Sequence, residues 1–547
     1  MILVRGLRLG PGESTEALAG KAAKKLRLAP SRIESLRLVK KSLDARKKED
    51  IHYVCAAAVS VAGDEQKLID RARSADVCQF SEPEYFIPEM DAQTPPPVVV
   101  GFGPAGMFAA LVLAMAGAKP IVIERGGDAL SRRAAVEAFR AGGALDPECN
   151  VQFGEGGAGT FSDGKLNTGI KDPRMGWMLR QFAAHGAPEN IVYDAKPHIG
   201  TDILIDVVQN IRRDIIARGG RVLFRTKMEE LAIKDGAIEG LWLRQGEERR
   251  FLACKNLILA IGHSARDSFE TLLAQGVPME RKAFSMGVRI EHRQEDIDFA
   301  QYGRPRGELP PADYSLNVHL PDGDSAYTFC MCPGGEVFAA ASEAGGLVTN
   351  GMSESKRDGE NANSALLVTL HTEEFPGEGV LAGMYWQREI ERAAYALGGG
   401  SYLAPAQLAG DFLAGRASTG PGRVRPSYRP GVIWCDLHEI LPEKISSVLK
   451  KALPELGKKL RGFDSSEAVL TGPETRSSSP VRILRGKELC SDIGGLYPCG
   501  EGAGYAGGIS SAAVDGMRCA EAVLGALCQG RAGFCTAASI DAGHGTC

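Results

Sequence analysis

Paired cysteines are missing. No two of the thirteen cysteines in the 547-residue chain have CxxC spacing, which leaves no ligand ladder for structural zinc or an iron–sulfur cluster, and no metal site is expected. An odd number of scattered thiols predicts reduced cysteines and a cytoplasmic protein. The N-terminus, with Arg5 and Arg8 between short apolar stretches, lacks the apolar core of a secretion signal. No internal repeat is present. Aromatics are absent before Tyr53, so the basic stretch 21–48, with eleven Lys/Arg against two acids, lacks the stacking groups of an RNA-binding surface. It reads as a solvated basic face. A long charge-free run does exist at 92–118, but its four prolines and closely spaced glycines argue against a membrane span despite its length.

Composition is otherwise ordinary, with 44% hydrophobic and 24% charged residues, which excludes disorder or coiled coil for the whole chain. The length predicts three to four domains. A formal net charge of −4 conceals an asymmetry, +7 over residues 1–75 and −11 over the rest. Glycine is in excess, at 67 residues, and 22 of these fall within 98–127, 142–169 and 494–516. Such clusters predict backbone that turns sharply or approaches another group closely.

Periodicity predicts strands at 2–9, 33–41 and 51–61 and helices at 14–28, capped by Ser14, and 65–75. A Thr94-Pro95-Pro96-Pro97 linker follows. Strand 98–100, a glycine turn, helix 105–116 and strand 120–124 make a βαβ unit. Further on, helix 201–218 with Thr201 at its N-cap precedes strands 221–231, 238–244 and 257–261. The pattern over 281–470 is mixed, with strands near 284–291, 326–331 and 336–341 and helices near 363–373, 386–397 and 443–453. A helix at 509–527 closes the folded part.

Gly101-Phe102-Gly103-Pro104-Ala105-Gly106 leaves a strand and opens a helix, the setting in which GxGxxG marks a dinucleotide site. Gly101 permits the turn, Gly103 lets backbone approach a pyrophosphate, and Gly106 lets strand and helix pack. Pro104 and Ala105 start the helix, whose N-terminus presents free N–H groups to the anion. Glu124, with Arg125 beside it, ends the second strand where an acid hydrogen-bonds ribose hydroxyls and repels a 2′-phosphate.

Gly495-Leu496-Tyr497-Pro498-Cys499-Gly500-Glu501-Gly502 reads as a strand ending in Gly-acid-Gly, with Gly508, Ile509 and Ser510 at the start of the last helix. With Asn256-Leu257-Ile258-Leu259-Ala260-Ile261-Gly262, this resembles the two-part FAD-binding domain of flavoprotein oxidoreductases, with Glu501 in place of the usual Asp and Ile261 in a Thr position. The resemblance implies FAD as cofactor. Gly500 and Glu501 would meet its ribityl chain, and N–H groups at Gly508, Ile509 and Ser510 would stabilise charge at the flavin pyrimidine edge. No second GxGxxG follows a strand, and no CxxxxC pair follows the first βαβ, so a disulfide reductase is not the model.

Where that pair would sit, 153–169 holds six glycines in seventeen residues. It is expected to run along the cofactor, with Gly157 and Thr160 at the pyrophosphate and Lys165 and Asn167 near the flavin ring. Together with Pro197-His198-Ile199-Gly200, Cys330-Met331-Cys332-Pro333 and Thr471-Gly472-Pro473-Glu474-Thr475-Arg476, the whole resembles a family of bacterial FAD-dependent dehydrogenases whose substrate is unassigned. His198 is a candidate for acid/base work, Lys165 a catalytic candidate serving flavin N5 or its developing negative charge, and Arg289 a candidate for substrate contact. The stretches 350–363 and 476–479 are candidate anion holders. Cys330 and Cys332, two apart on a strand, are expected to be buried thiols rather than a disulfide.

The expected fold is α/β. A Rossmann-like FAD-binding domain with a parallel sheet is assembled from segments 92–280 and 471–529. An α+β substrate domain, 281–470, is inserted between them, and a small basic ferredoxin-like domain, 1–91, precedes both; 530–547 is expected to be a disordered tail. The expected function is hydride transfer between FAD and a small molecule, with anionic compounds among the candidates and NAD(P)H an open candidate for electron donor. An RNA-modifying flavoenzyme anchored by the basic domain and a non-catalytic FAD-binding regulator are the alternatives, although nucleic acid is the less favoured partner. No membrane association is expected.

Overall fold

The computed structural model describes residues 1–91 and 95–529. Its N-terminal part is an antiparallel four-stranded sheet in the order Ile33–Asp44, His52–Val61, Ile2–Leu9, Val77–Gln79. With helices Ala17–Leu26 and Glu65–Ala72, the order is the ferredoxin-like βαββαβ arrangement. The first strand buries Ile2 and Val4, then Leu7 and Leu9. That change from even to odd positions would turn the apolar face outward in a regular strand. A bulge between Val4 and Leu7, where Gly6 has φ 62°, restores it. The first helix begins at Ala17, not at a Ser14 cap, because the Ser14 hydroxyl instead accepts from the N–H of Glu16.

The second sheet is fully parallel, in the order Leu496–Pro498, Leu257–Leu259, Val98–Val100, Ile121–Ile123, Arg221–Leu223. Its strands have three residues each, so most of its core comes from helices. The uncharged run that reached membrane length is strand Val98–Val100 and helix Pro104–Met115, which is buried from Ala105 to Ala114 and packs against the last helix, Ile509–Gln529. Among the described residues no helix is long and apolar enough to cross a membrane. The strand expected over 221–231 is two strands. Arg225, at φ 51°, breaks the chain, and Lys227–Lys234 joins a separate antiparallel sheet with Ala237–Gln245 and Glu248–Ala253. Helix Thr201–Ala217 has Gly200 as its N-cap, while the Thr201 hydroxyl donates to Ser162 O at 2.7 Å.

The third sheet has seven strands, ordered Asn317–His319, Ser325–Cys332, Asn361–Leu370, Phe284–Arg293, Val469–Glu474, Ala404–Leu408, Val432–Trp434. The helix expected at 363–373 is the inner strand Asn361–Leu370, paired over ten residues with the central strand Phe284–Arg293. Buried on both faces, it has no alternation to reveal it, and short apolar runs rich in Ala and Leu read equally as buried helix. The boundary drawn at 470 falls within Val469–Glu474, a strand of this sheet. Met279–Arg281 and Val481–Ile483 pair where the chain leaves and re-enters the region. The tail at 530–547 lies outside the described residues.

Candidate functional site

Strand Val98–Val100 ends at Gly101, whose φ is 97° and where a Cβ would stand 2.2 Å from Ala260 O. At Gly106 a Cβ would stand 1.9 Å from Gly101 O. Turn, helix and neighbouring strand therefore touch backbone to backbone, and a side chain at either position would separate them. Glu124 serves this turn directly. One carboxylate oxygen accepts from the N–H of Phe102 at 2.9 Å, and the other from Gly126 at 2.8 Å and Gly154 at 2.9 Å. It joins the first glycine turn to the second while lining the cavity described below.

The 153–169 loop lies on the first turn. Gly156 N–H donates to Phe102 O at 2.8 Å, and a Cβ on Gly103 would lie 3.5 Å from Gly157 Cα. Further along, Leu166 N–H donates to Pro197 O at 2.9 Å, and Ser510 Oγ donates to Leu166 O at 2.7 Å. The third glycine segment is thus fixed to the second. Gly500 N–H donates to Asp515 at 2.8 Å, directing the chain into the last helix.

These segments enclose a cavity of about 450 Å³. Gly101, Gly103, Pro104, Ala105, Glu124, Arg125 and Gly262 line it on the parallel-sheet side. Gly157, Lys165 and Asn167 line it from the loop, and Glu501, Gly508, Ile509 and Ser510 from the C-terminal segment. Gly106, Thr160 and Gly500 stand outside the lining and support it. The residues fit a dinucleotide: two long helices begin at the cavity, at Pro104 and Ile509, with N–H groups suited to anionic or electron-rich groups. The Arg125 guanidinium lies over the Phe153 ring, its carbon 4.1 Å from the ring centre, and is held by Glu148 and Asp267. Burial pushes the Glu501 carboxyl up to about 7, against the opposing pull of Gly508 N–H and Lys282.

The cavity extends to the seven-stranded sheet, where Thr328, Phe329, Cys330 and Glu474 line it, together with Tyr314, which precedes Asn317–His319, and Asn350 of the short pair Glu336–Ala339 and Thr349–Met352. Sequence reasoning placed Asn350 in a candidate anion-holding stretch, 350–363, and Cys330 and Glu474 in motif segments, but did not single out Tyr314, Thr328 or Phe329. Gln152 and His263 also line it, and burial with Arg476 and Arg266 nearby depresses the His263 imidazole to about 3, so it is neutral.

Of the candidate catalytic groups, Lys165 lines the cavity, with Asp163 at 3.9 Å as its ion partner. Asp163 is paired more closely with Arg357. His198 is outside the lining, its Nε2 3.2 Å from Ser355 O; burial and Arg357 lower its pKa. Arg289 does not reach the cavity. Fully buried, its guanidinium donates to Glu474 at 2.6 and 2.8 Å and to Cys330 O at 2.8 Å. Arg476 lines the cavity but donates to Glu391 at 2.7 and 3.0 Å. Arg266 donates to the same carboxylate, twice at 2.8 Å. The two guanidiniums hold Glu391 well below the usual carboxylate range. Neither arginine is free to clamp an anion, whereas Lys165 is better placed for it.

Cys499, Asp515 and Cys519 bring ligand atoms within 4.8 Å of one another. Arg485 already pairs with both oxygens of Asp515, at 2.6 and 3.0 Å, and burial pushes the Cys499 thiol up. This set of groups holds a guanidinium rather than a metal ion.

Residues 283–477 match the profile of a family described as "FAD-dependent protein, C-terminal domain-like", and residues 1–60 match a domain of unknown function, DUF8436. An uncharacterized protein of Clostridium beijerinckii is 47% identical over 531 residues, covering 96% of this chain and 98% of its own. Among solved structures, a triple mutant of the flavin-dependent brominase Bmp2 shares 14% identity over 80% of this chain and 81% of its own, with a TM-score of 0.37. A geranylgeranyl bacteriochlorophyll reductase-like protein of Thermoplasma acidophilum shares 14% over 79% of each chain, with a TM-score of 0.35. With its C-terminal domain matched by the profile and nearly its whole length shared with the clostridial protein, the chain belongs to this bacterial family of FAD-dependent proteins, and FAD is its cofactor.

Proposed function

We propose that the protein is an oxidoreductase that moves a hydride between FAD and a small molecule held between the parallel and seven-stranded sheets. The observation that carries this reading is the continuity of the cavity, from the glycine turn at Gly101–Gly103 to Phe329 of the seven-stranded sheet and to Tyr314 and Asn350 beside it. A purely structural cofactor needs no such second wall. Bound FAD supplies the two-electron chemistry. The chain's own groups bind and orient: Gly101, Gly103 and Gly157 admit the pyrophosphate, and Gly508–Ser510 N–H groups face developing negative charge. Lys165 attracts an anionic group on the substrate, and Phe329 and Tyr314 supply apolar surface that excludes water.

The basic N-terminal face gives little support to an RNA substrate. Lys21 pairs with Glu13 at 2.6 Å, Lys25 with Asp76 at 2.7 Å, and Arg37 with Glu82 at 2.7 Å. Part of that charge is met within the protein.

Anaerobic mixing of the FAD-loaded protein with NADH, NADPH and a panel of hydroxy and amino compounds tests the proposal, with flavin absorbance as the readout. At least one donor should bleach the flavin. Bleaching by dithionite but by no donor in the panel would overturn the reading.

A further inference from the structure

Five cations line the cavity, and four of them are engaged by carboxylates. Arg125 donates to Glu148 and Asp267, Lys196 to Asp313 and Arg476 to Glu391, while Lys227 is paired with Asp267. Lys165 is the exception. Its ammonium lies 3.9 Å from Asp163, beyond hydrogen-bonding reach, and Arg357 holds Asp163 through both carboxylate oxygens. Among the described residues none accepts a hydrogen bond from Lys165 Nζ, so its three N–H donors can meet an anion in the cavity.

Glu474 is the counterpart on the other wall. Only 3% exposed, it lines the cavity from the end of strand Val469–Glu474. Arg289 stands behind it and donates one hydrogen bond to each carboxylate oxygen, at 2.6 and 2.8 Å. The other guanidinium hydrogens go to Cys330 O, Asn363 and Asn350, which leaves Arg289 no donor for a ligand and fixes the plane of the carboxylate. Each carboxylate oxygen can accept two hydrogen bonds, and among the described residues Arg289 is the only donor to either. Nearby polar groups of this wall are paired, Tyr314 with Ser364 and Thr328 with Leu316. Burial pushes the Glu474 carboxyl up to about 7 against the pull of Arg289, so above neutral pH it is an acceptor. Cys330, whose carbonyl Arg289 holds, also feels the charge of Lys165, so the two groups lie near one residue of the wall.

We propose that this end of the cavity is a subsite for a small carboxylic acid that carries a hydroxyl or amino group, its carboxylate meeting Lys165 and its O–H or N–H donating to Glu474. This names the substrate class of the hydride-transfer reading above and rests on it. An acid without the donor leaves the buried Glu474 oxygens unmatched, and a donor without the acid leaves Lys165 unmatched, so both are rejected. Phe329 and Met331 of the same lining suit an aliphatic remainder.

The test is an anaerobic titration of the FAD-loaded, full-length protein at pH about 8, followed by flavin absorbance, with compounds of one carbon skeleton: leucine, 2-hydroxy-4-methylpentanoate, 4-methylpentanoate and 3-methylbutylamine. Leucine or the hydroxy acid, each offered as both enantiomers, should bind about tenfold or more tighter than the simple acid or the simple amine. Whichever does so names the donor. Lys165→Met should erase the advantage over 3-methylbutylamine, and Glu474→Gln the advantage over 4-methylpentanoate. Because Glu474→Gln alters a buried ion pair, its FAD content and urea midpoint are read beside those of the wild type; if it does not fold, the ranking of the compounds and Lys165→Met decide. Equally tight binding of 4-methylpentanoate, no spectral change with any of the compounds, or an advantage that survives Lys165→Met overturns the proposal. If the ranking is as expected but no donor bleaches the flavin, the hydride-transfer reading fails while the subsite stands.

Discussion

The parallel sheet and the seven-stranded sheet build opposite walls of one cavity by different means. In the parallel sheet, three-residue strands and slim helices meet backbone to backbone, with glycine at the contacts. In the seven-stranded sheet, strands of up to ten residues carry buried polar groups, among them Arg289, Glu291, His292 and Asn363. The first wall depends on the absence of side chains and the second on hydrogen bonds and ion pairs among buried side chains, not every polar atom of which finds a partner. On the proposed function, the cofactor end rests on main-chain geometry, and the end toward the seven-stranded sheet on a polar network sensitive to single atoms.

If that contrast holds, the largest effect comes from the first wall. Gly101→Val places a side chain against Ala260 O at a backbone angle that valine avoids. Purified protein should contain no flavin after FAD is added, and normal flavin absorbance would break the contrast. Next is Glu391→Gln, which leaves the buried Arg266 and Arg476 guanidiniums without their carboxylate. Losing one partner of a buried charge group costs about 3–5 kcal/mol, measurable as a lower urea midpoint.

His292 gives a smaller effect with a definite sign. Burial lowers its pKa from 6.5 to about 4, so the unfolded chain takes up a proton in that window and the folded chain does not. Stability is full above pH about 6.5 and falls as pH drops toward about 4, by about 2 kcal/mol between pH 7 and pH 5. Urea titrations at the two pH values measure it, and His292→Asn should flatten the slope. The smallest effect is expected at Thr471, whose buried hydroxyl has no hydrogen-bond partner. Thr471→Val should leave stability unchanged or raise it by about 1 kcal/mol, and a clear loss would reveal a partner for that hydroxyl.

Legibility in the sequence follows the same division. Gly101, Gly103 and Gly106 could be read because close backbone contact leaves a local, fixed spacing. The convergence of 153–169 and 494–516 on that turn was also legible, since glycine clusters in ordered protein need a reason. Asn361–Leu370 was not, because burial on both faces erases alternation. Arg289 looked like a substrate contact because its position on a strand carried no trace of Glu474, 185 residues away. Cys330 looked like an ordinary core thiol for the same reason, as the bulge that turns it depends on partners distant in sequence.

By itself the amino-acid sequence determined the βαβ opening, the FAD-type glycine segments and the ferredoxin-like start, all features written in short-range spacing and backbone sterics. Only the tertiary structure decided that Lys165 and Cys330 share the cavity while Arg289 stands behind it and His198 beside it. Side-chain burial and ion pairing are set by long-range packing, which the order of residues along the chain does not display.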